Sequence, residues 1–189
     1  MGKVHTNIYL VRHAHSIYTP DELGRPLSKN GKKDAERVTE LLKNRKIDVV
    51  ISSPYLRAIE TVEGVAFYHN LPIINMEDFK ERRLAKQPVE NFETAIYKVW
   101  HDEHFSFDGG ESNKEAQERG IRALKKVLTE YRGKNIVIGT HGNIMVLIMN
   151  DYDSNYDYEF WKQLSMPDIY QLTFDEKKQL MNVTRLWEE

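Results

Sequence analysis

Near the start of the chain, LVRHAHS (Leu10 to Ser16) ends a short apolar run on an arginine and sets two histidines one residue apart. Two chemistries fit. His-x-His at a strand end can bring two imidazoles onto one metal ion. Arg-His at the same place suits phosphate, because a guanidinium pairs with two phosphate oxygens and stays charged at any working pH. A neutral imidazole beside it is a competent nucleophile, and nearby arginines lower its pKa and favour that neutral form. Three further clusters could share the work: Ser52-Ser53-Pro54 with Arg57 just beyond, Lys80-Glu81-Arg82-Arg83, and Thr140-His141-Gly142-Asn143. Among their residues, a carboxyl group such as Glu81 could protonate a departing oxygen, with Glu77 a nearby competitor.

To act together these clusters need a common edge, and the flanking pattern supplies one. Buried strands are expected at 7–12, 47–52, 72–76 and 135–140, and two more in IYQLTF and MNVTRLW with DEKKQ as the turn between them. Helical spacing of Ala35, Val38, Leu41 and Leu42 marks a helix within SKNGKKDAERVTELLKNR. Ser53 is expected to cap a helix with Pro54 at its first position, and Ser112 with Glu115 forms a capping box for another. Strands alternating with helices imply an α/β fold with a mainly parallel sheet. In such sheets ligands bind outside the carboxyl ends of the strands, which is where all four clusters fall.

The composition sets outer limits. A chain of 189 residues is expected to be a single domain, 1–189, since domains usually run to about 100–200 residues. Without cysteine it has neither disulfides nor thiolate metal sites, which fits a reducing, cytoplasmic location. The apolar run in MGKVHTNIYLV is too short for a signal peptide, and no stretch could span a bilayer, so no membrane partner is expected. A net charge of −2 argues against general nucleic-acid binding, so an anion site must come from locally placed cations.

Five motifs, LVRHAHS, SSPYLRAIET, ERRL, GGES and GTHGN, in that order and spacing, resemble the histidine phosphatase superfamily, also called the phosphoglycerate mutase-like family. The resemblance implies a three-layer α/β/α sandwich. It implies that His13 becomes phosphorylated, that Arg12 and Arg57 clamp the phosphate, and that His141 is the second pocket histidine. Glu81 fits the proton donor of the branch that carries this acid. The implied reaction is hydrolysis of a small phosphorylated metabolite through a phosphohistidine, with no metal and no cofactor. Gly142, Ser16, Thr19 and His15 are expected to join Arg12, Arg57 and His141 in binding substrate. Three positions depart from the family pattern: Ala14 replaces the commoner glycine, His15 stands where an acidic or amide residue is frequent, and Thr19 where mutases usually carry asparagine.

Rival readings remain defined by the same residues. A metal-dependent hydrolase would use His13 and His15, but its barrel needs about 250 residues and further ligands at later strand ends. A phosphoglycerate mutase would share the nucleophile, although its chain is usually longer and its inserts enclose the substrate. A non-catalytic phospholigand-binding module is the third. His101 and His104 share a helix face, but a half-exposed helix explains them better than a zinc pair does. The stretch 84–108 that contains them is expected to be a lid, with Trp100, Phe105 and Phe107 as packing residues. Lys80, Arg82 and Arg83 are expected to face solvent, with one able to reach the substrate.

Overall fold

The computed structural model describes residues 4–188. Six strands form one sheet: β1 (Thr6–Arg12), β2 (Val49–Ser52), β3 (Ile73–Asn75), β4 (Asn135–Thr140), β5 (Asp168–Phe174) and β6 (Leu180–Arg185). Their order is β3-β2-β4-β1-β5-β6. β1, β4, β2 and β3 run parallel, and β5 and β6 add an antiparallel edge. The mainly parallel α/β architecture expected from the alternation is therefore present. Register levels the business ends: Arg12 pairs with Thr140 on one side and Asp168 on the other, and Ser52 pairs with Gly139.

Alternation along β1 explains why the sheet carries helices on both faces. Ile8 and Leu10 join one core with Leu124, Val127 and Leu128 of helix α4 (Asn113–Glu130) and Ile144 and Ile148 of α5 (Gly142–Tyr152). Tyr9 and Val11 point the other way, among Val38 and Leu42 of α1 (Lys29–Leu42) and Val62 and Val65 of α2 (Leu56–Tyr68). Each such aliphatic side chain, once buried, contributes about 1.5–3 kcal/mol, so neither helical layer is dispensable. Two shorter helices, α3 (Phe92–His101) and α6 (Tyr158–Lys162), meet through Tyr97 and Trp100 of the first and Tyr158 and Trp161 of the second.

The starts of α1 and α4 follow local chemistry, and that of α2 does not. The capping box forms: Ser112 Oγ accepts from Glu115 N at 3.1 Å, and the Glu115 carboxylate accepts from Ser112 N at 2.8 Å. Ser28 caps α1 through a 3.0 Å bond from Gly31 N. The expected cap at Ser53 is corrected. Helix α2 begins at Leu56 with Tyr55 in the capping position, because the Ser53 hydroxyl is taken by His141 Nε2 at 2.8 Å.

The 84–108 stretch is closed at its base. Lys86 N donates to the Asp108 carbonyl, and Glu111 N to the Arg83 carbonyl, both at 2.8 Å. Within it, α3 buries Ala95, Ile96 and Val99. The two histidines have separate surroundings: His101 stacks on Tyr97 at 3.7 Å, and His104 lies 3.5 Å from Glu103 on the surface. Phe105 and Phe107 pack edge to face at 4.9 Å. Among the described residues, no helix is long and apolar enough to cross a membrane.

Candidate active site

β1 delivers Arg12 as its last residue, and His13 continues the ladder by donating its backbone N–H to Thr140 at 3.0 Å. The chain then turns under α2, where Ala14 N donates to Thr61 Oγ1 at 3.0 Å. This fixes the His13 ring. Its Nδ1–H donates to the Ala14 carbonyl at 2.8 Å, and its Nε2 accepts from Arg57 Nε at 3.3 Å. Both contacts specify one tautomer, with the Nε2 lone pair outward. Burial first, then the charges of His141, Arg57 and Arg12, hold the His13 pKa well below the ordinary imidazole value, against the raising effect of Ala14. The ring therefore stands neutral among cationic neighbours.

Arg12 is held from behind. Its Nη1 donates to the carbonyls of Leu164 and Ser165 at 3.2 and 3.0 Å. Its flat face lies against Gly142, where a Cβ would stand 3.0 Å from Nε and 3.1 Å from Cζ. Glycine in GTHGN is thus required for the guanidinium to lie where it does. Arg57, one residue into α2, is buried, and its outer nitrogens donate to Glu22 (Nη1 to the carbonyl at 2.9 Å, Nη2 to Oε1 at 3.3 Å). The Glu22 carboxylate thus forms an ion pair with that fork.

His141, fully buried, stands with its ring 5.2 Å from that of His13, centroid to centroid. Burial, followed by Arg57 and Arg12, drives its pKa well below the usual value. Its Nε2 is bonded to Ser53, while neither its Nδ1 nor Arg12 Nε has a hydrogen-bond partner among the described residues.

Glu81 reaches the start of α5. Its Oε1 accepts from Arg82 N and Ile144 N at 2.8 and 3.0 Å, and its Oε2 from Asn143 N and Asn143 Nδ2 at 3.0 and 3.2 Å. It is close enough to Arg12 and Arg57 to stabilise their charged forms against burial. Glu77, the competing carboxylate, pairs instead with Lys80 at 3.8 Å on the surface.

The expectation that Lys80, Arg82 and Arg83 face solvent is corrected for Arg82, which is 3% exposed. Its Nη2 donates to Asn143 Oδ1 at 3.2 Å, and the neighbouring Glu81 and Glu111 offset the cost of burying its charge. Arg83 is exposed and Lys80 partly so.

Arg12, His13, Arg57, Glu81, His141 and Gly142 therefore converge. Ser16, Thr19 and His15 make their contacts elsewhere. Ser16 bridges to Leu27, Thr19 Oγ1 donates to the Asp21 carbonyl at 2.8 Å, and His15 is exposed with Nδ1 2.8 Å from Ser28 Oγ. His13 and His15 thus have their Nδ1 atoms engaged with different parts of the chain. Among the described residues, no group of three His, Cys, Asp or Glu side chains is placed to hold a metal ion. The sequence placed Ser53, Arg82 and Asn143 in the strand-end clusters without a role for any of them, and gave no sign of Glu22.

The model of the histidine phosphatase superfamily (branch 1) matches residues 8–185. The chain belongs to that superfamily. An uncharacterised phosphatase, PhoE of Bacillus subtilis, is 30% identical over 142 residues, covering 72% of each chain. A 2,3-bisphosphoglycerate-dependent phosphoglycerate mutase of Methanococcus vannielii is 27% identical, covering 90% of this chain and 92% of its own. Among solved structures, a mycobacterial glucosyl-3-phosphoglycerate phosphatase superposes with a TM-score of 0.78 at 17% identity, covering 97% of this chain and 98% of the other, a likeness of fold. Histidine phosphatases thus share the α/β/α frame seen here.

Proposed function

We propose that the chain is a phosphomonoester hydrolase that works through a phosphohistidine at His13 on a small phosphorylated metabolite. The observation that carries this reading is the His13 ring itself: Nδ1–H spent on Ala14, Nε2 left as the acceptor, 3.3 Å from Arg57 Nε, and burial holding the ring neutral. Nε2 attacks phosphorus, the ester P–O bond breaks, and Glu81 gives a proton to the leaving oxygen. As the ring gains positive charge, the Ala14 carbonyl stabilises the Nδ1–H. A water then gives its proton to Glu81 while its oxygen attacks phosphorus, the P–N bond breaks, and orthophosphate leaves. Arg12, Arg57 and His141 stabilise the equatorial oxygens throughout, so positioning and electrostatics do most of the catalysis and no metal enters the scheme. The 84–108 stretch covers the leaving group as a lid.

Rapid quench with labelled substrate tests the reading. An acid-labile, alkali-stable phosphoprotein should form in the wild type and vanish in His13→Ala, together with phosphate release. Turnover should survive EDTA. Formation of no such intermediate would overturn the scheme. The similarity to a bisphosphoglycerate-dependent mutase supports a second reading, phosphoryl return to another hydroxyl. Comparing phosphate release with 3-to-2 phosphoglycerate interconversion separates the two.

A further inference from the structure

Glu81 as it stands accepts four hydrogen bonds, so it can serve as an acid only by taking a proton and releasing a contact. Three of the four donors are backbone N–H groups, of Arg82, Asn143 and Ile144, and the first turn of α5 fixes two of them. The fourth is a side chain, Asn143 Nδ2 at 3.2 Å from Oε2. An amide can present either end, and here its neighbours decide which. Asn143 Oδ1 accepts from Trp100 Nε1 at 3.0 Å and from Arg82 Nη2 at 3.2 Å. Indole and guanidinium groups are donors only, so the amide oxygen must face them and the NH₂ must face Glu81. Trp100 belongs to α3, inside the 84–108 stretch.

We propose that Asn143 is the positioning residue for the Glu81 proton donor, and that Trp100 and Arg82 lock its amide in the working orientation. This rests on the reading of Glu81 as the acid. It ties the stretch over the pocket to the acid in two hydrogen bonds, from indole to amide and from amide to carboxylate. Of the four contacts on Glu81, the amide is the one made by a side chain, so it alone can turn aside with no movement of backbone. Its orientation therefore sets which oxygen is free to meet the leaving group.

Leaving-group dependence tests the idea in the full chain, because an acid matters only when the departing oxygen needs a proton. The value of kcat/KM is measured with phenyl phosphate and with p-nitrophenyl phosphate, whose phenolate leaves unaided. Glu81→Gln should lose about 10²- to 10⁴-fold on phenyl phosphate and far less on p-nitrophenyl phosphate. Asn143→Ala should show the same split, with a loss of about 10- to 100-fold on phenyl phosphate, as for a hydrogen bond to a charged group. Trp100→Phe keeps an aromatic ring and removes the N–H. It should lose about 2- to 10-fold on phenyl phosphate only, which keeps the test open if Asn143→Ala does not fold. Equal losses on both substrates in Asn143→Ala or Trp100→Phe, beside a split in Glu81→Gln, would overturn the positioning role and leave the acid intact. No split in Glu81→Gln would overturn the acid, and the positioning role with it.

Discussion

A histidine kept neutral by its surroundings carries a cost at low pH, and this site has two. Burial and cationic neighbours place the folded pKa of His13 and of His141 well below the ordinary 6.5. Above that value neither state is protonated and stability does not change on their account. As pH falls below it, the unfolded chain takes up protons that the folded chain refuses, so stability is lost until the lowered folded pKa is reached. Each histidine should add a slope approaching about 1.4 kcal/mol per pH unit in that window. Urea unfolding at a series of pH values measures the slope, and proton uptake on unfolding should shrink by up to one in His141→Asn. The Ser53 hydroxyl holds His141 Nε2, so Ser53→Ala should lower kcat/KM by about 2- to 10-fold and, by leaving a buried ring nitrogen unpaired, lower stability by about 1–3 kcal/mol in urea unfolding. The catalytic types were legible in the sequence because arginine, histidine and glutamate advertise their chemistry at strand ends. Their supports were not. A serine after a strand reads as a helix cap until the partner from β4, 88 residues on, is known, and Arg82 in a run of four charges reads as solvated until its contact to Asn143 is seen.

At the scale of elements, two glycines at helix starts separate stability from activity. A Cβ at Gly31 would lie 2.0 Å from the His15 carbonyl oxygen, a backbone atom that also accepts from Ser28 N. Gly31→Ala must therefore move the loop after β1 or the start of α1, and should destabilise the fold by about 1–3 kcal/mol, as overpacking does, read from the urea midpoint. At Gly142 the added methyl meets the Arg12 side chain instead, at 3.0 Å. Gly142→Ala should stay folded and lose activity, with kcat/KM falling by about tenfold or more as the guanidinium is misplaced. The capping box was legible as Ser112-x-x-Glu115 because both partners sit within one turn. The register that levels Arg12 with Thr140 and Ser52 with Gly139 was inferable only as a rule about parallel sheets, since no local pattern encodes which strand lies beside which. The third strand shows the limit: read as 72–76, it forms only over Ile73–Asn75, where an edge gives it one partner.

For the molecule as a whole, protection should grade outward from β1. That strand is paired on both sides and buried on both faces, so its amides and those of β4 should exchange most slowly, near the global unfolding limit. Amides in the 84–108 stretch should exchange faster, because α3 buries only a small apolar face and the stretch adds no strand to the sheet; equal protection throughout would contradict this. The closure at the base of that stretch has a historical consequence. Two backbone bonds, Lys86 to Asp108 and Arg83 to Glu111, hold its ends together whatever lies between. Lineages descending from such a chain can lengthen, shorten or rewrite the intervening residues while inheriting the anion seat unchanged. The one residue in it that such editing must spare is Trp100, whose indole reaches out of the stretch to Asn143.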